Sequence, residues 1–299
     1  MTHQEVIKEK VPAKVISFIN MKGGVGKTTL TKEIGYHLWK YEGKRILFID
    51  LDPQSNLTQS FFKKNGYTQE GLIPDEPQSS KEDVEKIFKK TSASIHKLFK
   101  PGKIADVKAE ECILKLDEGL HLIPGTLQAV FLERNSNIEN HLFTFIKNHN
   151  LRNEYDFIFI DCPPTYSNYT IAALISSDFY ITPSKPDAYS VLGIKMLSRV
   201  VEDIKDHHQV YFENKPLNAL GVVISETQPS SSGIEKMIKQ IKSSTELRKI
   251  DTYFFNSHFV YNSQVPKQAE YFIADSKSAT LEDLTVLVDE FKRRLLHYE

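Results

Sequence analysis

One short run of the sequence combines glycines, lysines and hydroxyl side chains in the way that a phosphate site requires. The run is Lys22-Gly-Gly-Val-Gly-Lys-Thr-Thr29, and an apolar periodic segment follows it directly. Glycines let backbone N–H groups close around phosphate oxygens, and a helix that starts there adds the positive end of its dipole. Lys27 can then contact the β- and γ-phosphates, and the Thr28 hydroxyl can bind Mg²⁺. The predicted phosphate-binding residues are Lys22, Gly23, Gly24, Val25, Gly26, Lys27, Thr28 and Thr29.

Acidic residues follow two apolar segments that have the character of buried strands. Asp50 and Asp52 follow the segment Arg45–Ile49. Asp161 follows the segment Phe157–Ile160. Ligands of α/β sheets bind at the carboxyl ends of the strands, where a carboxylate can hold Mg²⁺ directly or through water. We therefore predict a metal site of Thr28, Asp50 and Asp161, although either aspartate of the first pair could instead cap its loop.

These residues lie at the junctions of an alternating pattern of strands and helices. Short apolar runs predict strands at residues 15–19, 45–49, 120–123, 157–160, 179–181 and 219–224. Helical periodicity predicts helices at residues 27–41, 136–149, 168–176, 190–207, 233–243 and 281–297. Near-continuous apolar strands that alternate with helices indicate an α/β fold: a mostly parallel, twisted sheet with helices on both faces.

The chain has 299 residues, a length that open α/β sheets can fill as one domain. We expect a flexible tail at residues 1–14 and a single domain at residues 15–299, with an insert at about residues 63–115. The insert contains a stretch rich in turn-forming residues, Gly71–Ser80, and then one or two short helices within Lys81–Lys100. It could be a docking surface for a partner or a decorated loop.

The phosphate run resembles the deviant Walker A motif of the ParA/MinD superfamily of P-loop ATPases, whose mark is an extra lysine at the place of Lys22. The strict P-loop pattern is not met, because no glycine stands at its leading position. Asp50–Asn56 resembles the first switch of the family, and Asp161–Thr165 resembles its Walker B motif and second switch. The resemblance extends over residues 15 to about 224 and implies the P-loop NTPase fold, the cofactors ATP and Mg²⁺, and ATPase activity.

The resemblance also implies roles for individual residues. In this family the lysine at the place of Lys22 crosses a dimer interface and contacts phosphates bound to the other subunit, so that ATP joins two protomers. Asp52 is implied to position the attacking water and Asp50 to support the metal shell, and these two assignments could be exchanged. The implied catalytic residues are Lys22, Lys27 and Asp52.

The composition disfavours several other classes of protein. The chain has 38 basic and 39 acidic residues, 40% hydrophobic residues and two cysteines, as an ordinary globular protein does. Cys112 and Cys162 form no CxxC pair, which argues against a zinc ribbon or an iron–sulfur scaffold, and we expect both to be buried. No apolar run approaches the roughly 20 residues of a membrane span, and the start lacks the core of a signal peptide. We therefore expect a cytosolic protein.

Members of this superfamily differ in what they bind, and basic residues in the C-terminal half bear on the choice. ParA-type partition proteins of the family bind DNA without sequence preference through lysines and arginines in that half. Residues 235–249 contain five basic and two acidic residues. The predicted DNA contacts are Lys236, Lys239, Lys242, Arg248 and Lys249. An ordinary solvated helix face is the alternative. A net charge of −1 over the whole chain argues against nucleic acid, but charge can be sorted by region.

The resemblance favours a partition ATPase over two other functions. It implies an ATP-dependent homodimer, non-specific double-stranded DNA and a small centromere-binding protein as partners, no membrane binding, and a cytoplasmic location on the nucleoid when ATP is bound. The alternatives are a MinD-like, membrane-cycling positioning ATPase and a metal-cluster assembly ATPase. The last predicted helix contains Lys292-Arg-Arg-Leu-Leu296, but its apolar positions recur as in a helix packed on the sheet. With the phosphate run near residue 20, we expect no N-terminal helix-turn-helix domain.

Overall fold

The computed structural model describes residues 11–69, 88–100, 104–127, 138–226, 232–260 and 269–298. Within these ranges, one eight-stranded sheet and one two-stranded sheet are present. Helices pack on both faces of the large sheet, which confirms the predicted α/β fold class. Residues 1–10 of the predicted tail lie outside the described residues. Ala13 belongs to the fold, since it is buried and its N–H donates to the carbonyl of Arg152 at 2.7 Å.

Six of the ten strands in the described residues lie close to the six predicted ones. The strands are β1 Lys14–Phe18, β2 Ile46–Asp50, β3 Tyr67–Gln69, β4 Lys89–Thr91, β5 Leu114–Asp117, β6 Leu120–Ile123, β7 Phe157–Asp161, β8 Phe179–Ser184, β9 Asn218–Glu226 and β10 Phe259–Val260. The large sheet has the order β10-β9-β8-β1-β7-β2-β6-β5, and β3 pairs with β4 in the small one. All neighbours in the large sheet are parallel except β5 and β6, which are antiparallel. The apolar pattern did not predict the edge strands β5 and β10, because β5 is half polar and β10 has only two residues. It did not predict β3 and β4 either, which are three residues long and lie in the insert.

The helices connect these strands and cover the sheet. They are α1 Lys27–Glu42, α2 Asn56–Asn65, α3 His96–Phe99, α4 Ala109–Cys112, α5 His141–Asn148, α6 Leu151–Glu154, α7 Asn168–Ser176, α8 Ser190–His207, α9 Gln209–Phe212, α10 Ser232–Lys242, α11 Thr245–Arg248 and α12 Ala279–Leu296. The predicted helices at 168–176 and 190–207 coincide with α7 and α8, and α2 was missed. Among the described helices, none combines the length and the apolar character that crossing a membrane requires.

Successive side chains of each central strand point into two different cores. In β1, Val15 packs on the face that carries α5 and α7, whereas Ile16 and Phe18 pack on the face of α1 and α12. In β7, Ile158 lies in the first core and Phe159 in the second. Burial on both faces explains the continuous apolar runs of the sequence. It also fixes the register that brings the carboxyl ends of β1, β7 and β2 to the same edge of the sheet.

The predicted insert is partly built into one of these cores. Among its described residues, Ile95, Leu98, Phe99 and Cys112 are each at most 1% exposed and pack on the face of α5 and α7. Residues 70–87 and 101–103 of the insert lie outside the described part of the chain. A role of the insert as a partner surface stays a prediction.

Candidate functional site

The phosphate run forms the turn between β1 and α1, at the carboxyl end of a central strand. Gly24 and Gly26 have φ values of +70° and +87°, which would strain a residue that carries a Cβ. α1 begins at Lys27 without a hydrogen bond from a capping side chain. Its first backbone N–H groups are therefore available to an anion, and the positive end of the helix dipole lies at the same place.

A cavity of about 650 Å³ opens in front of this turn, a volume typical of a small-molecule site. Its lining includes seven of the predicted residues, namely Gly23, Gly24, Gly26, Lys27, Thr28, Thr29 and Asp52. Lys63 and Lys185 line the same cavity and add positive charge. Val25 is buried below it, where its carbonyl accepts a hydrogen bond from the Ser225 hydroxyl at 2.7 Å. The site is therefore cationic and shaped for a phosphate-containing molecule.

Lys27 lies inside the cavity wall and is only 6% exposed. Its Nζ donates a hydrogen bond to the Lys22 carbonyl at 3.1 Å. Burial lowers the pKa of this ammonium, while the nearby carboxylates of Asp161 and Asp52 act in the opposite direction. A buried ammonium with so few partners gains most from a strong anion, and the terminal phosphates of a nucleotide are such an anion.

Asp161 is the group that fits a metal ion best. It is fully buried at the end of β7, and neither of its carboxylate oxygens has a hydrogen-bond partner. Burial raises its pKa well above the usual range and Asp50 adds to the rise; Thr28 opposes it, although its hydroxyl completes no hydrogen bond with either oxygen. Among the described residues, no cluster of three His, Cys, Asp or Glu side chains could hold a metal alone. One carboxylate with phosphate and water ligands is how proteins usually bind Mg²⁺.

Asp50 lies beside Asp161, since the two residues pair in the register of β2 and β7. Its oxygens are occupied: Oδ2 accepts hydrogen bonds from the Thr58 N–H at 2.8 Å and hydroxyl at 2.7 Å, and Oδ1 accepts from the Asp52 N–H at 3.2 Å. Burial is the main reason that the pKa of Asp50 rises to about 7, and the bonds from Thr58 oppose that rise. Asp50 therefore ties the following loop and α2 to the sheet, and its role in the metal shell stays a prediction.

Asp52 reaches the cavity from that loop and is 7% exposed. Its Oδ1 accepts a hydrogen bond from the Gln54 N–H at 2.9 Å. Burial raises its pKa, and the Gln54 N–H and Lys27 oppose the rise. The structure thus brings Lys27, Asp52 and Asp161 together around the turn, as the sequence predicted for a phosphate site with an adjacent carboxylate.

Sequence reasoning missed Gly125 and Thr58, which complete this arrangement. The Gly125 N–H donates to the Thr58 hydroxyl at 2.7 Å. A Cβ at position 125 would lie 2.8 Å from Cγ of Asp50 and 3.0 Å from Oγ of Ser55, so a larger residue cannot fit without displacement. Pro124 and Gly125 follow the carboxyl end of β6. A glycine at that edge of a parallel sheet could have indicated from the sequence that the backbone approaches another group closely there.

Lys22 occupies a different environment from Lys27. Its side chain is 46% exposed, and its ammonium forms an ion pair with Asp187, which lies between β8 and α8. The Lys22 N–H donates to Oδ1 of Asn20 at 2.9 Å, and Asn20 Nδ2 donates to the Pro183 carbonyl at 2.8 Å. Lys22 is thus fixed through its backbone while its charged end lies at the surface.

The basic residues predicted to contact DNA lie on and after α10. Lys236 and Lys239 are exposed on the helix, whose opposite side is buried through Ile238 and Ile241. The ammonium of Lys242 donates to the Phe255 carbonyl at 2.9 Å and is half-buried. Two further cations are exposed: Arg248, which donates to the Ser243 carbonyl at 2.7 Å, and Lys249, which lies 3.4 Å from Glu246. Four of the five predicted cations are therefore exposed, whereas Lys242 is half-buried.

Comparisons with known proteins agree with this geometry. Residues 13–218 match the protein family described as an AAA domain. The chain is 30% identical to the sporulation initiation inhibitor protein Soj of Bacillus subtilis over 197 residues, 65% of this chain and 67% of Soj.

Two solved structures share the fold. Cobyrinic acid a,c-diamide synthase of Mycobacterium smegmatis with bound ADP and magnesium has a TM-score of 0.68 and 21% identity, over 96% of this chain and 97% of that one. A plasmid partition protein of Borrelia burgdorferi bound to AMPPNP has a TM-score of 0.67 and 19% identity, over 96% of this chain and 100% of that one. The family match covers more than half of the chain and includes β1, α1, β2 and β7, which carry the phosphate turn and its aspartates. The chain belongs to this AAA-domain family and is a P-loop ATPase of the ParA/MinD type.

Proposed function

We propose that this protein is a DNA segregation ATPase of ParA type that dimerises when it binds ATP. The observation that carries the proposal is the contrast between two lysines of one loop. Lys27 is buried in the cavity wall, whereas the Lys22 side chain is 46% exposed on the same loop. A lysine so placed can extend beyond its own protomer. A second protomer that presents its nucleotide to this surface would bring phosphates to Lys22.

ATP with Mg²⁺ is the ligand that we assign to the cavity. The N-terminus of α1 and Lys27 would bind the phosphates, and Thr28 and Asp161 would hold the metal together with phosphate and water ligands. When bound, the metal would neutralise charge on the β- and γ-phosphates. The unpartnered oxygens of Asp161 support this assignment, as do the nucleotides bound to the two proteins of similar fold.

We assign to Asp52 the role of orienting the attacking water during ATP hydrolysis. The Gln54 N–H fixes the carboxylate of Asp52 at the cavity wall, close enough to Lys27 for the two charges to interact. Loss of the γ-phosphate would remove the group that Lys22 contacts in the second protomer. The dimer would then separate, so nucleotide would act as a timer for every property that depends on the dimer.

Non-specific duplex DNA is the partner that we assign to the surface around α10. Lys236 and Lys239 are exposed, and Arg248 and Lys249, which follow α10 in the chain, are exposed as well. Contacts from such residues to phosphates are independent of sequence and weaken strongly as salt rises. A dimer doubles the number of these contacts, which is how ATP binding would control DNA binding at a net charge of −1.

The remaining elements of the proposal are a partner protein and a location. A small centromere-binding protein would stimulate hydrolysis, and the ATP-bound dimer would reside on the nucleoid in the cytoplasm. The similarity to Soj and to a plasmid partition protein supports this choice. Membrane binding is less favoured, because most apolar side chains of α12 pack inside the core, with Leu287, Val288 and Phe291 fully buried, and only Val286 and Leu296 of its large apolar side chains are exposed.

One experiment separates these functions. Binding to random-sequence duplex DNA and to anionic liposomes is measured with Mg²⁺ and with ATP, with ADP or without nucleotide. We expect DNA binding that requires ATP and falls steeply with salt, and no binding to liposomes. Liposome binding that depends on ATP, without DNA binding, would reject the proposal in favour of a membrane-cycling ATPase.

A further inference from the structure

The charged end of Lys22 is held within its own protomer by Asp187. Asp187 lies two residues after Lys185, which lines the phosphate cavity, and three residues before α8 begins. The two side chains are 46% and 33% exposed, so the ion pair is at the surface but not fully solvated. In the proposed dimer, Lys22 has to extend away from its own protomer. In this structure it does not, because its ammonium is paired with Asp187.

Asp187 uses its two oxygens for different purposes. Oδ1 accepts hydrogen bonds from the Tyr189 N–H at 2.9 Å and from the Ser190 hydroxyl at 3.2 Å, which fixes the turn at the start of α8. Oδ2 contacts Lys22. Burial alone would raise the pKa of Asp187, but the bonds from Lys22, Tyr189 and Ser190 outweigh it and hold the pKa below its usual value. The carboxylate is therefore ionised near neutral pH and can pair with the ammonium of Lys22.

The loops that carry the two residues are joined independently of the ion pair. Asn20 accepts the Lys22 N–H and donates to the Pro183 carbonyl at the end of β8. The Lys22 carbonyl in turn accepts a hydrogen bond from Lys27. The backbone of Lys22 is thus fixed to the sheet, and its side chain can leave Asp187 without movement of either loop.

We propose that Asp187 is a positioning residue that holds Lys22 in its own protomer and thereby opposes dimerisation until phosphates of a second protomer replace it. This inference rests on the proposed function, in which Lys22 contacts nucleotide bound to the second copy. A triphosphate carries several negative charges and attracts an ammonium more strongly than one carboxylate does. An empty partner offers no such charge. The contact therefore makes dimerisation depend more steeply on bound ATP.

The size of the effect follows from the exposure of the pair. A surface ion pair shifts an equilibrium by roughly 1.5- to 5-fold. A two-fold symmetric dimer has to open two such pairs, so removal of the pair is expected to strengthen the dimer by roughly 2- to 25-fold. The shift is expected with an ATP analogue and Mg²⁺ present, since that complex supplies the competing phosphates.

The variant that tests the inference is Asp187→Asn. The amide oxygen can still accept from Tyr189 and Ser190, while the negative charge beside Lys22 is lost. Glu202→Gln is the matched control, because it breaks another surface ion pair, with Lys205 at 3.1 Å, on the helix α8 that follows Asp187. Asp187→Ser is a second variant that keeps a short hydroxyl acceptor at the turn, in case the asparagine perturbs folding.

The measurement is the dimer Kd by sedimentation with AMPPNP and Mg²⁺, together with the affinity of the monomer for the same analogue at low protein concentration. We expect Asp187→Asn and Asp187→Ser to lower the dimer Kd and to leave the monomer's affinity for AMPPNP and the melting temperature unchanged. We expect Glu202→Gln to behave as wild type. A damaged turn would instead weaken both equilibria.

Two outcomes overturn different statements. If Lys22→Ala abolishes the dimer but Asp187→Asn leaves its Kd unchanged or raises it, the positioning role of Asp187 is wrong and the trans role of Lys22 stands. If Lys22→Ala dimerises normally with AMPPNP, the proposed function itself fails, and the inference about Asp187 fails with it.

Discussion

The hydroxyl of Thr58 is the point at which the loop after β2 is most open to a test. It donates to Asp50 Oδ2 at 2.7 Å and accepts the Gly125 N–H at 2.7 Å, and Thr58 is 3% exposed. Thr58→Val keeps the shape of the side chain and removes both bonds. Gly125 then has a buried N–H without an acceptor, and Asp50 loses one of the two bonds to that oxygen.

The expected loss of stability comes from these two groups. A buried polar group left without its partner lowers the free energy of unfolding by roughly 1 to 3 kcal/mol. A hydrogen bond to a carboxylate contributes more to that free energy than a hydrogen bond between neutral groups does. We therefore expect the free energy of unfolding to fall by about 2 to 4 kcal/mol. The rate of ATP hydrolysis should also fall, because the Asp52 N–H donates a hydrogen bond to Asp50, and a shift of Asp50 would displace Asp52. A displaced catalytic group reduces kcat on the order of ten- to a hundred-fold, with a smaller change in KM for ATP.

Urea unfolding and steady-state ATPase kinetics measure the two effects. Thr31→Val is the matched control, since Thr31 is also fully buried but its hydroxyl donates to the Lys27 carbonyl within α1. Such a bond inside a helix contributes little, so the control should lose less than about 1 kcal/mol. The reasoning is refuted if Thr58→Val and Thr31→Val have the same urea midpoint.

Three further predictions concern charge. Glu33 is fully buried, and burial raises its pKa to about 7 from an ordinary 4.5; because the folded pKa is the higher one, the free energy of unfolding should fall as pH rises from about 4.5 to 7. Urea titrations across that range should show a smaller fall for Glu33→Gln, and equal slopes would contradict the assignment. Asp161→Asn removes a buried, unpartnered carboxylate, so the apoprotein should melt no lower than wild type, while its stabilisation by ATP with Mg²⁺ should shrink; undiminished stabilisation would exclude the metal role. Replacing Lys236 and Lys239 by alanine should lower the slope of log K against log salt for DNA by about 2. Lys242→Ala, whose ammonium already bonds a backbone carbonyl, should leave that slope unchanged, and the opposite order would reject the assigned surface.

The parts of the site that could be predicted have local signals. The phosphate turn is contiguous in sequence, and its glycines, lysine and threonine follow a strand and begin a helix within ten residues of one another. Asp52 and Asp161 were predicted for the same reason, because each stands at or just after the end of an apolar run. Parallel strands then bring these ends to one edge, so a local pattern was enough to place distant residues together.

The parts that were missed depend on contacts between distant positions. Ser225 supports the phosphate turn from 200 residues away, and Asp187 contacts Lys22 across 165 residues. No spacing in the sequence encodes either contact. Ser225 nevertheless lies near the carboxyl end of β9, and Asp187 follows the carboxyl end of β8. Polar side chains at that edge of the sheet are therefore candidates for contact with the phosphate turn.

The basic stripe on α10 shows how an approximate period misplaces a side chain. Lys236, Lys239 and Lys242 recur at intervals of three, which falls about 60° short of a helical turn at each step. Over two steps the direction drifts by about 120°, so Lys242 points toward Phe255 instead of outward with the other two. A stripe at alternating intervals of three and four would have kept one face.

The central claim is that Lys22 acts on nucleotide bound by the other protomer, and mixing two inactive variants tests it most directly. Lys22→Ala and Asp52→Ala are each expected to lose ATPase activity, the first by losing the bridging lysine and the second by losing the residue that orients water. In a mixed dimer, the site on the Lys22→Ala protomer has an intact Asp52 and receives Lys22 from its partner. An equimolar mixture should therefore regain turnover, up to about a quarter of the wild-type level if protomers pair at random. A mixture that forms dimers and stays inactive would show that Lys22 serves its own site, and would contradict the account.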